Sequence, residues 1–194
     1  MQRLSSDEAL ARLAESVDQD RDGVAIVAVD GHSAAGKSTF AARIAARFGA
    51  AVVEVDDFYR VLDLHVRDAL DARAGVDQYY DWQRLRDVLT TIRAGQTAAF
   101  EPYDWERNTL SQSLKTIEAA HLAVVEGLFA ARPELDDLID ISVLIESPPS
   151  TRQARQRQRG DATDDWLKRW DAAERLYLEV IRPATSFDLV VSSS

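Results

Sequence analysis

Hydrophobic positions along the chain follow two periods. Leu10, Leu13, Ala14 and Val17 recur at helical spacing. Ser5, with Glu8 three residues on, has the form of a capping box, and Asp22-Gly23 supplies a stop. Residues 24–29 are instead one continuous apolar run rich in β-branched side chains, bounded by Gly23 and Gly31. Such a run predicts a strand buried on both faces, as in a parallel sheet. Residues 37–48 return to the helical period and close at Gly49. Apolar runs at 51–55, 122–125, 139–145 and 189–191 predict four more strands, the third of them stopped by Pro148-Pro149. Helices are expected over 61–74, over 82–93 behind an Asp81 cap, from Pro133 to Leu138, and over 150–159 and 164–181 with a break at Gly160. Residues 97–104 and 114–118 read as extended.

Strands alternating with helices predict an α/β fold, a three-layer sandwich built on about five parallel strands. The chain has 194 residues and no linker-like stretch, so it reads as a single domain over 1–194 with a lid. Its 33 acidic and 23 basic side chains give a net charge of −10. That balance disfavours a nucleic acid polymer or an anionic membrane as partner, while allowing a local basic pocket. With no cysteine, disulfides, thiolate metal sites and cysteine nucleophiles are excluded. His32, His65 and His121 are too scattered for a histidine metal site. No signal-like run and no stretch near the ~18 apolar residues of a membrane span is present, so a cytoplasmic protein is expected.

Chemistry enters at residues 31–38. Gly31-His32-Ser33-Ala34-Ala35-Gly36-Lys37-Ser38 fits G-x-x-x-x-G-K-[ST], with an expected strand before it and a helix after it. The glycines let successive backbone N–H groups turn inward onto phosphate oxygens, and the helix adds its positive N-terminal end. Lys37 can then reach the β- and γ-phosphates of ATP, and the Ser38 hydroxyl can ligate Mg²⁺. Residues 31–39, Thr39 included, form the candidate nucleotide loop. The only asparagine is Asn108, so the Asn-Lys-x-Asp guanine signature of GTPase switches is absent.

A second acidic element, Glu54-Val55-Asp56-Asp57-Phe58-Tyr59, falls at the carboxyl end of the second expected strand, where α/β sheets bind ligands. A carboxylate there can accept a proton from an attacking hydroxyl or help to hold Mg²⁺. Arg152, Arg155 and Arg159 share one helical face, as a phosphate-facing lid would need, and Arg157 points away from it toward solvent. Arg107 can bind a substrate phosphate or carboxylate. Trp82, Trp105, Tyr79, Tyr80 and Tyr103 are able to stack on a planar substrate, or to pack in the core. Trp166, Trp170 and Tyr177 read as packing residues, and Glu174 as structural. No catalytic role is assigned to His32.

Taken with Pro102-Tyr103-Asp104-Trp105 and Val124-Val125-Glu126-Gly127, the loop and the Asp56-Asp57-Phe58-Tyr59-Arg60 element resemble uridine kinase and the wider uridine kinase/phosphoribulokinase group, in order and approximate spacing. The likeness runs from about residue 24 to 191. It implies a P-loop kinase that moves the γ-phosphoryl group of ATP–Mg²⁺ to a hydroxyl of a nucleoside or similar small molecule. Position by position, it implies Asp56 as general base, Glu126 beside the metal, and Arg152, Arg155 and Arg159 in a lid over about 150–165. Asp57, Tyr59, Tyr103, Trp105 and Arg107 are the candidate substrate residues. It also implies that the segment Arg182-Pro183-Ala184-Thr185 borders the adenine. Two departures stand out. No histidine follows in Trp105-Glu106-Arg107-Asn108, where uridine kinases read the pyrimidine. Gly75 to Trp82 replaces their phenylalanine-aspartate-histidine-proline stretch. A nucleoside monophosphate kinase or other metabolite kinase, and a nucleotide-binding regulatory protein with little turnover, remain alternatives. Homo-oligomerisation is left open.

Overall fold

The computed structural model describes residues 2–17, 23–159 and 164–193. Its strands are β1 (Arg3–Leu4), β2 (Ala25–Asp30), β3 (Ala51–Glu54), β4 (Ala98–Phe100), β5 (Tyr103–Asp104), β6 (Thr109–Leu110), β7 (Lys115–Ile117), β8 (Leu122–Glu126), β9 (Ile141–Glu146) and β10 (Leu189–Ser192). The helices are α1 (Ser6–Ser16), α2 (Lys37–Phe48), α3 (Leu64–Asp68), α4 (Ala72–Gln78), α5 (Trp82–Arg93), α6 (Pro149–Arg159) and α7 (Asp164–Leu176). Six parallel strands form the central sheet, in the order β1-β10-β9-β2-β8-β3.

The β2 run is apolar throughout because both of its faces are covered. Ala25, Val27 and Val29 pack with Leu10, Leu13, Phe40 and Ile44 of α1 and α2. Ile26 and Ala28 belong to the opposite core, with Leu85, Leu89 and Ile92 of α5 and Tyr177 beyond α7. Each such Ile or Val, fully withdrawn from water, contributes roughly 1.5–3 kcal/mol. Gly75 is the close-approach residue between α4 and α7, since a Cβ there would strike the Tyr79 ring and reach Ala173.

The sheet has one strand more than the sequence pattern predicts. The addition is β1, whose two residues are too few to show a period, and it pairs in parallel with β10. The expected 61–74 helix splits into α3 and α4, because Asp63 and Asp71 each cap a new start. The turn behind Pro133 stops at Leu135. Pro149 opens α6 instead of only ending the strand before it. Beyond α7 the chain widens into a π turn over Tyr177–Ile181. On α1 it is Ala9, not Ala14, that is buried with Leu10 and Leu13. The capping box is present, with Ser5 and Glu8 satisfying each other's orphan groups. The breaks expected at Asp22 and Gly160 lie outside the described residues.

Candidate functional site

The loop between β2 and α2 depends on backbone that side chains would forbid. Gly31 has φ +141°, and a Cβ on it would run into the Ile145 carbonyl. Gly36, at φ +104°, opens α2 with no side chain capping it. The first N–H groups of α2 therefore lack the usual side-chain partner and face the loop, an arrangement suited to an anion. Lys37 Nζ donates to the His32 carbonyl at 2.9 Å, across the loop.

Two buried carboxylates hold this loop from behind. Asp30 accepts from the N–H groups of Gly31 (2.7 Å), Phe129 (3.1 Å) and Ala131 (2.9 Å), and from the Tyr177 hydroxyl (2.8 Å). Glu174, on α7, accepts from the Ser33 amide (3.0 Å), the Ser33 hydroxyl and Trp170 Nε1 (2.7 Å), with His32 Nδ1 at 3.0 Å. Burial would push the Glu174 carboxyl up, but the His32 and Ser33 hydrogen bonds and nearby Lys37 outweigh it and hold the group below the usual range. Sequence reading passed over Asp30 and took Glu174 as structural. An acid at the end of an apolar strand was the available signal for the first.

The carboxyl ends of β3 and β8 bring in further acids. Glu54 and Glu126 are register partners. Glu126 hydrogen-bonds the Ser38 hydroxyl, and burial, together with Asp56 and Glu54 nearby, pushes its carboxyl up. Asp56 lies in the 3-10 turn Val55–Phe58 and accepts from the Tyr80 hydroxyl at 2.7 Å. Burial and the Asp56 charge keep that phenol well above its ordinary pKa, so it remains a donor at neutral pH.

Asp56, Tyr80 and Glu126 line one cleft of about 570 Å³ with the loop. Ser33, Ala34, Gly36, Lys37, Ser38 and Thr39 form one end, with Asp56 and Glu126 beside them. Trp105, Trp166, Trp170 and Tyr80 form the other wall, and Gln156 and Arg157 of α6 overhang it. The wall is continuous: Trp105 lies against Tyr59 at 4.6 Å between ring centroids, and Trp170 stacks on Tyr79 at 5.0 Å.

Several predicted residues are not brought to this cleft. Asp57 turns to Lys115 (2.6 Å), which also binds Glu54. Tyr59 is buried behind Trp105, and the Tyr103 hydroxyl donates to Asn108 (2.6 Å). Arg107 closes an ion pair with Asp104 in its own turn (2.7 Å) and is exposed. Arg155 donates to the Ala34 carbonyl (3.1 Å), on the far side of the loop. Arg152 lines a separate hollow with His32 and Glu146. The side chain of Arg159 lies outside the described residues. Arg157, expected in solvent, is exposed, and it also lines the rim of the cleft. Arg182 pairs with Asp136, and neither it nor Ala184 lines a described cavity near the loop. Among the described residues no three histidine, aspartate or glutamate side chains converge to hold a metal by themselves, and no helix is long and apolar enough to cross a membrane.

A parallel sheet with a glycine-rich loop feeding an uncapped helix N-terminus defines a P-loop nucleotide-binding fold. The profile of the Phosphoribulokinase / Uridine kinase family matches residues 26–193, and the chain belongs to that family. It is accordingly a phosphotransferase with a hydroxyl acceptor, acting on a small metabolite. It is 25% identical over 164 residues to a uridine kinase of Halobacterium salinarum, covering 81% of this chain and 71% of that one. A uridine kinase of Macrococcus caseolyticus is 26% identical over 163 residues, with 81% and 78% covered. The fold is shared with a solved structure described as a possible uridine kinase from Bacillus stearothermophilus, at TM-score 0.72 and 20% identity, over 96% of this chain and 97% of that one.

Proposed function

We propose that this single-domain kinase transfers the γ-phosphoryl group of ATP–Mg²⁺ to a hydroxyl of a nucleoside-like acceptor, with Asp56 as general base. One observation carries the reading: the Asp56 carboxylate shares a cleft with Lys37, Ser38 and Glu126. Tyr80 donates to one Asp56 oxygen and leaves the other to accept the acceptor's proton. Lys37 leaves the His32 carbonyl for the phosphates, and the amides of Gly36, Lys37 and Ser38 at the start of α2 cradle them. Arg157 overhangs the transferring group from α6, while Arg155 braces the loop through Ala34.

The donor set fits Mg²⁺. Ser38 and Glu126 are hard oxygen ligands, already hydrogen-bonded to one another. Mg²⁺ is commonly held by one or two such groups, with phosphates and waters completing its shell. A divalent cation would also relieve the crowding of Glu126 by Asp56 and Glu54. When bound, it supplies charge neutralisation at the β- and γ-phosphates.

The relatives named uridine kinase support a nucleoside acceptor, and the aromatic wall supports a flat one. Asp56→Asn is the test. Acceptor-dependent ADP release should fall by about 10²- to 10⁴-fold while ATP still binds. Unchanged turnover would remove Asp56 from the reaction.

A further inference from the structure

Glu174 is a buried carboxylate, 1% exposed, for which phosphoryl transfer as described has no use. It stands on α7, the helix that follows the lid. On that helix Trp166, Leu167 and Trp170 face the cleft. Four residues after Trp170, Glu174 grips the first half of the phosphate loop at the Ser33 amide and hydroxyl and at the His32 ring. Trp170 Nε1 joins the same knot, donating to Ser33 Oγ at 2.9 Å as well as to Glu174. One helix therefore holds both the aromatic wall and the loop.

The two halves of the loop are satisfied differently. The N–H of Ser33 is consumed by Glu174, and the His32 carbonyl accepts from both Ala35 N (3.1 Å) and Lys37 Nζ (2.9 Å). The second half, at Gly36, enters α2 without a cap. With its first half fixed from outside, the loop can present the amides of its second half in one geometry. Fixing them before the ligand arrives removes ordering cost from binding.

We propose that Glu174 is a positioning residue that sets the conformation of the phosphate loop and, through the Trp170 N–H, ties it to the acceptor wall. The inference rests on the kinase reading above, and its test is separable from it.

The experiment measures Mg²⁺–ATP affinity by calorimetry, with no acceptor present, for the parent and three variants. Glu174→Ala deletes hydrogen bonds to a charged acceptor and should weaken ATP binding by about tenfold to a hundredfold. Glu174→Gln keeps an acceptor oxygen for Ser33, and its amide can donate to neutral His32. It should therefore bind ATP within about threefold of the parent, a rescue that loss of core packing would not show. Trp170→Phe keeps the ring against Tyr79 and removes only the N–H. It should weaken ATP binding by about twofold to fivefold while keeping the parent's thermal midpoint within a few degrees. Parent-like ATP affinity in folded Glu174→Ala, or parent-like affinity in Trp170→Phe should Glu174→Ala not fold, overturns the proposal. The kinase reading fails on another observation, tight ATP binding by the parent without transfer to any hydroxyl, and the Glu174 result stands or falls independently of it.

Discussion

The two ends of the cleft are built by different means. At the end proposed for the phosphate donor, the candidate binding groups are backbone amides, placed by two left-handed glycines and the start of α2. At the end proposed for the acceptor, the wall is aromatic: Tyr80, Trp105, Trp166 and Trp170 line it, drawn from separated stretches, with Tyr59 and Tyr79 packed behind them. Backbone amides recognise a feature common to all nucleoside triphosphates, and they need local sequence only. A wall of rings recognises shape, and it exists only once distant segments have met. The first end can stay constant while the second is rebuilt for another acceptor.

The largest effect that separates the two ends should come from Lys37→Ala. Transfer should drop by about 10³-fold or more, read as product formation, because charge on the transferring group loses the cation of the loop. Acceptor binding measured without nucleotide should not change. Trp105→Ala is the mirror experiment. Trp105 is 56% exposed and stands at the mouth of the cleft. Its loss should raise the acceptor KM by about fivefold to tenfold, as removal of a stacking face does, and leave the ATP KM alone. A matching change in both constants would mean that the ends are not separable at Trp105.

A pH experiment sharpens the donor end further. The Glu126 carboxyl titrates above the ordinary glutamate range, so it takes up a proton sooner as pH falls. Protonated, it no longer attracts Mg²⁺. The Mg²⁺ concentration for half-maximal rate should therefore begin to climb at a higher pH than an ordinary carboxylate would produce, and Glu126→Gln should flatten that slope. The smallest effect belongs to Arg107→Ala, which should alter either KM by less than about twofold, since its ion pair with Asp104 is exposed and local. A larger change would return Arg107 to the substrate.

Legibility in the sequence followed the same divide. The loop, its strand and its helix were readable because glycine spacing and apolar periodicity act over a few residues. The five longer strands were readable as apolar runs, four of them sealed on both faces and the edge strand β3 burying only Val53 fully. β1 was not, since a two-residue edge strand has no pattern and owes its place to β10. Asp56 carried a signal by its place at a strand end. Its neighbour Asp57 carried the same signal, and only Lys115, contributed by β7 far along the chain, draws it off the cleft. Glu174 looked like any acid on an amphipathic helix. Its role appears only when α7 lies across the loop. The arginines of α6 illustrate a finer point: helical spacing identified which of them share a face, but only the seating of α6 sets Arg155 against the Ala34 carbonyl and Arg157 at the rim of the cleft.

The pairing of Arg3 with Val190 and Leu4 with Val191 has a consequence in time. During synthesis these residues leave the ribosome long before the strand they join, and closing so long a loop is among the slowest contacts a chain can make. The buried stripe of α1, Ala9, Leu10 and Leu13, shares its core with Val191 as well as with Val27, Phe40 and Ile44, so its packing is complete only when β10 arrives. The nascent chain therefore carries a helix only partly covered until β10 emerges. In the mature molecule the same edge should open first, exchanging its amide hydrogens ahead of the central strands.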